Sequence, residues 1–101
     1  MAINLKTITS CLGYQQITSL GSSAALTVPA VDTNGLSVKP TIAIIVAETA
    51  GIRWRDDGTD PTTTVGMPLA AGVTLQYDGD LTKIRFIQQT AGAILNISYY
   101  A

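Results

Sequence analysis

The sequence predicts an all-β domain: a single antiparallel β-sandwich or small barrel, jelly-roll-like in form. Three observations carry the prediction. No stretch sustains a helical period of apolar residues; apolar and polar residues alternate instead, or β-branched residues run together. Gly, Pro, Asn and Asp interrupt these stretches every eight to twelve residues or so, the rhythm of turns in a sandwich. At 101 residues the chain suits one small domain with a thin stability margin.

The elements follow in order. Residues 1–13 have no clear hairpin partner and read either as an extended N-terminal arm or as an ordinary edge strand, with the β domain running over residues 14–101. "YQQITSL" (residues 14–20) mixes aromatic, β-branched and polar side chains and is expected to be extended. "AALTVP" (24–29) is a short strand that proline ends, and Asn34-Gly35 is a tight-turn signal. "TIAIIVAE" (41–48) is a continuous apolar run and should be the most buried strand.

"GIRWRDD" (51–57) follows as a strand, with Ile52 and Trp54 on one face and Arg53 and Arg55 on the other. The stretch from 56 to 72 has too many turn formers for one strand. It reads as a turn at Asp56-Asp57-Gly58, an extended piece over 62–65 and a bend over 66–68. In "GVTLQYDGD", Val73, Leu75 and Tyr77 are expected on one face and Thr74 and Gln76 on the other, before a turn at Asp78-Gly79. "KIRFIQQ" (83–89) puts Ile84 and Phe86 on one face and Lys83, Arg85 and Ile87 on the other. "ILNISYY" (94–100) is the final strand. Trp54 and Phe86 are the expected core anchors. Arg53, Arg55, Lys83 and Arg85 would share one sheet face or rim as a candidate contact surface, with the aspartates of both turns gathered at one end.

Composition narrows the function. Only 13% of residues are charged against 47% apolar, where soluble domains carry about 25% charge. Such an exterior suits a protein whose surface other subunits cover. A net charge of −1 argues against nucleic acid and against an anionic membrane surface as partners. No apolar stretch reaches membrane-spanning or signal-peptide length, so synthesis and retention in the cytoplasm are expected.

Catalytic chemistry finds little to use. There is no histidine, hence no Ser-His or Cys-His pair, and the single cysteine, Cys11, cannot form an intrachain disulfide. Cys11 reads as a small buried or half-buried apolar residue, with an interchain disulfide as the alternative. "DDGTD" brings three carboxylates together but lacks the D-x-D-x-D spacing and closing glutamate of a calcium loop. Asp56 with Asp78 or Asp80 could be drawn as a glycosidase pair, but turn aspartates are solvated and stay ionised. The glycines form no phosphate loop. Tyr14, Tyr77, Tyr99, Tyr100 and Trp54 could stack on sugar or pack in a core or interface, the more common use of aromatics. No cofactor, no metal and no enzymatic activity are expected.

"IRWRDDGTDPTTTVGMPLAAG" followed by "YDGDLTKIRFIQQTAGAILNISYY" resembles a family of small virion structural proteins of tailed bacteriophages and prophages. The shared pattern is roughly R-W-R-D-D-G-x-x-P-T, G-M-x-L-x-x-G, Y-x-G-D-L, F-I and A-x-L-N-V-S-Y-Y. It runs from about Thr41 to Ala101, with Ile97 where valine is usual. The resemblance implies a β-rich virion component without catalytic residues, made in the host cytoplasm. A capsid decoration or cement protein is the leading expectation. It would sit on the major capsid protein, bridge neighbouring subunits and assemble as a homo-oligomer, a trimer by analogy. The alternatives are a tail, collar or fibre-attachment component, and a carbohydrate-binding adhesion module.

Overall fold

A computed structural model describes residues 10–31 and 34–101. Among these residues there are eight strands: β1 (Cys11–Ile17), β2 (Ala24–Ala25), β3 (Ile42–Glu48), β4 (Ile52–Arg55), β5 (Met67–Leu69), β6 (Thr74–Tyr77), β7 (Arg85–Gln88) and β8 (Ile94–Tyr100). They form two four-stranded antiparallel sheets, ordered β1-β8-β3-β6 and β2-β7-β4-β5. The pairings nest as β1 with β8, β2 with β7, β3 with β6 and β4 with β5. The chain is thus one long hairpin rolled up on itself, which is the jelly-roll form of the β-sandwich.

Alternation drives the packing. Along β3 and β8 every second residue is fully buried: Ala43, Ile45 and Ala47, and Leu95, Ile97 and Tyr99. Ile52 and Phe86 face them from the second sheet, and Leu20, Ile84 and Leu81 close the layer from the connections. No charged side chain is buried among the described residues, and the hydroxyls of the buried Tyr77 and Tyr99 each donate a hydrogen bond, to Asp56 and to Gln15.

Several expectations need correction. Among the described residues the first strand starts at Cys11, not Tyr14, and ends at Ile17, with a register shift between Cys11 and Gly13, and Leu12 packs against the core. Of residues 10–13, those in β1 therefore belong to the domain; residues 1–9 of the expected arm lie outside the described residues. The strand expected over 24–29 is only Ala24–Ala25. Beyond it Thr27 gives its N–H to the Gln15 side chain, and Pro29 lies against Gly13, so this piece covers the flank of the sandwich.

Residues 62–65 are a turn rather than extended. Thr62 N–H donates to Val65 O at 2.9 Å, and Val65 N–H is held by Thr62 Oγ1 at 2.9 Å. The bend expected over 66–68 is instead the start of β5, an edge strand in which Pro68 is tolerated because one side of the strand is unpaired. Val73 is not on the core face; it is 49% exposed in the turn that precedes β6. Cys11, expected to be at least half-buried, is exposed at the start of β1, where its side chain points away from the core beside Ser98.

Candidate functional site

The charged residues singled out by the sequence do come together, at the end of the sandwich where β4 stops and β7 starts. Arg53 and Arg55 project from the outer face of β4, and Arg55 pairs directly with Arg85 of β7. Like charges opposite one another repel, and each guanidinium is neutralised or held locally. Arg55 forms an ion pair with Asp57. Arg85 donates to the carbonyls of Thr82 and Ile84 at 2.9 and 3.0 Å. Arg53 donates to Thr63 O at 3.2 Å and Gly66 O at 2.9 Å, so it clamps the loop between β4 and β5 onto its own strand. Lys83 is exposed and borders a small recess with Gly58, Asp60 and Arg85.

The turn residues are built around Tyr77. Its hydroxyl donates to Asp56 Oδ2 at 2.7 Å, tying the β4–β5 loop to the opposite sheet. Its ring meets Trp54 edge-on, with centroids 5.9 Å apart and planes at 66°. Gly79 lies under that ring: a Cβ there would sit 2.6 Å from Tyr77 Cζ. Gly58 supplies a φ of 88° in the Asp56-Asp57-Gly58 turn, as expected of that position. Pro61 is buried beneath the loop. Gly66 has a φ of 141° and is hemmed in by Arg53 Cβ, Pro61 Cβ and Trp54 O at 3.1–3.2 Å. Phe86 is fully buried, whereas Trp54 is half-buried, a partner to the core cluster rather than its centre.

The electrostatics are those of a solvated surface. Its hydrogen bond from Arg55 holds the Asp57 carboxyl below the ordinary range. Asp80 is lowered by the hydroxyl and backbone N–H of Thr82, in a turn that Asp78 and Gly79 lead into. Burial first, then the Asp56 carboxylate, push the Tyr77 hydroxyl well above its ordinary value. Asp57 and Asp80 are thus both held on the ionised side, the opposite of what a proton-donating acid needs. Among the described residues no three of His, Cys, Asp and Glu converge as a possible metal ligand set. Tyr77 and Tyr99 are buried and Trp54 is packed against Tyr77, so these rings offer no open stacking platform.

A second surface was not legible as a site in the sequence. It is the outer face of the β1-β8-β3-β6 sheet. Register places Tyr14, Ser98, Ile44 and Gln76 in one row across it, and Gln16, Asn96, Val46 and Thr74 in the next. Cys11, Tyr100 and Ile42 form a third row, and Ile94 faces Glu48 at the other end. Ile42, Ile44, Val46, Ile94 and Tyr100 are half-buried there, and Tyr14 is 64% exposed. Glu48 is the one charged side chain in these rows, and Asn96 Nδ2 donates to it at 2.9 Å. The signal lay in "IAIIVA". A continuous apolar run in a two-layer sandwich can cover the core with only every second residue, so the others must face outward.

No known protein family, curated protein or solved structure matches the chain.

Proposed function

We propose that the chain is a non-enzymatic structural subunit of a tailed-phage virion, a capsid decoration or cement protein that bridges neighbouring subunits of the head. The observation that carries the reading is the use made of the motif residues. Trp54, Asp56, Tyr77 and Gly79 brace the end of the sandwich, Arg53 clamps its loop and Arg55 pairs with Asp57. The residues that carry the virion resemblance therefore build a rigid display end, and the chemistry left over is contact chemistry.

That end has the makeup of a docking rim. Val65 and Met67, 53% and 56% exposed, flank a recess that Arg55, Asp56 and Asp57 also line. Apolar anchors beside oriented charges give affinity and salt-sensitive register, respectively. The jelly roll adds an argument by analogy of fold, since it is common among viral capsid and lectin domains.

The test is to locate the protein in purified particles by mass spectrometry and imaging. Hundreds of copies on the head support the reading. A few to a dozen copies at the collar or tail move it to an attachment role, and absence from particles overturns it. A glycan array on the purified chain separates out the adhesion alternative, for which binding to a host polysaccharide is required.

A further inference from the structure

We propose that the outer face of the β1-β8-β3-β6 sheet is a self-association surface, on which a second copy of this chain packs the same face across a twofold axis.

The sequence of β3 sets up the argument. Ala43, Ile45 and Ala47 are wholly buried inside the sandwich, yet Ile42, Ile44 and Val46 on the other side are equally apolar. Antiparallel sheets with one wet face normally show polar residues there; continuous apolar strands belong to sheets covered on both sides. Beside β3 on this face stand Ile94 and Tyr100 of β8 and the exposed ring of Tyr14 on β1. The same rows hold the uncharged polar side chains of Gln16, Asn96, Ser98, Thr74 and Gln76, of which Asn96 accepts from Tyr14 and Gln16. The opposite sheet is different: its outer face bears Arg53, Arg55 and Arg85.

Charge selects the occupant. A partner chosen by electrostatic complementarity would find almost nothing to read, because Glu48 is the one charge in the rows of this face and lies at its edge, bonded to Asn96. An identical face is compatible by the same fact. Across a twofold each residue meets its counterpart region, and no like charges are forced together at the centre, where Ser98 and Ile44 lie in register. Size sets a lower bound. Three strands of seven residues and one of four, at about 4.8 Å spacing and about 3.3 Å per residue, give a projected face of roughly 400 Å². Two such faces project about 800 Å² together, and standing side chains raise the accessible area toward the lower end of the 1,200–2,000 Å² or so of specific interfaces. A threefold ring would need two different patches on each copy. This face supplies one patch that matches itself. The inference concerns how copies pair and does not depend on the particle to which they belong.

Mass determination of the purified chain in solution tests it, combined with two variants. The expected mass is twice the 10.6 kDa of one chain. Ile44→Asp at the centre of the face reduces it to one chain while Trp54 fluorescence remains that of the folded protein. In a Cys11→Ser background, Ser98→Cys reports proximity without destabilising the face. At about 10 µM protein a paired face holds the two thiols at an effective concentration of order 1 mM. Mild oxidation then links Ser98→Cys about a hundredfold faster than Thr64→Cys, placed on the distant loop. A single-chain mass or a trimer for the natural sequence overturns the proposal. So does a dimer that Ile44→Asp leaves intact. Where Ile44→Asp fails to fold, the crosslinking decides: equal rates for Ser98→Cys and Thr64→Cys refute it.

Discussion

Replacing Tyr77 by Phe removes one oxygen from the centre of the motif and leaves the rest in place. The ring keeps its edge contact with Trp54 and its cover over Gly79. What goes is the 2.7 Å hydrogen bond to Asp56. Bonds to a charged partner contribute about 1.5–3 kcal/mol, and an acceptor that water can reach recovers part of that. Asp56 is exposed, so its carboxylate resolvates, and the expected cost is about 1–2 kcal/mol. For a domain of this size each kcal/mol moves Tm by about 4–8 °C, so Tm should fall by roughly 5–15 °C. Urea unfolding followed by the fluorescence of the one tryptophan, Trp54, is the assay, and the slope should not change, because the same surface unfolds. Asp56→Ala and the double variant complete a cycle, with an expected coupling of about 1 kcal/mol. Additive effects within about 0.3 kcal/mol would refute the claim that this bond ties the β4–β5 loop to the opposite sheet.

Three further outcomes follow from the same geometry. Gly66→Ala places a Cβ among Arg53 Cβ, Pro61 Cβ and Trp54 O at a φ of 141°, and should cost about 1–3 kcal/mol by denaturant unfolding. Thr49 closes the β3–β4 turn with a φ of 76°, where Ala50 N–H donates to Glu48 O at 2.9 Å. A β-branched residue is strained in that conformation, so Thr49→Gly should raise stability by about 0.5–1 kcal/mol, read as a higher Tm. Burial pushes the Tyr99 hydroxyl from 10.0 up to about 12, and Tyr77 is shifted in the same direction. The unfolded chain therefore releases these protons first. Stability is full below pH 10 and falls as pH rises toward 12, by about 2–3 kcal/mol from Tyr99 alone. Unfolding titrations from pH 8 to 12 or so should show a shallower fall in Tyr99→Phe.

Much of the fold was legible because local chemistry repeats at the period of a strand. The alternation in "KIRFIQQ" put Ile84 and Phe86 on one face, and both lie in the core; "ILNISYY" was legible as a strand, and its core face, Leu95, Ile97 and Tyr99, emerges with the fold. Asp57-Gly58 marked its turn for a local reason, since Gly58 takes a positive φ that other residues resist, whereas Gly79 is required by the Tyr77 ring packed on it. Edges were less legible. Met67–Leu69 looks like a bend, and becomes a strand only because β4 lies beside it to pair with. Residues 62–65 look extended, and turn because the Thr62 hydroxyl captures the Val65 N–H.

Fold class, the poverty of charge and core positions such as Phe86 and Ile84 can be read from the chain alone, because each depends on composition or on a two-residue period. What the motif residues touch, and which apolar side chains lie on an outer face, came with the packing of the two sheets. Asp56 meets Tyr77 across 21 residues of chain. "IAIIVA" reads as one apolar run until two sheets pack and leave Ile42, Ile44 and Val46 on the outside. Periodicity assigns a side chain to a face of its strand. Which face meets the core, and which looks outward, is set by the second layer, and that layer is brought up by contacts far apart in the chain.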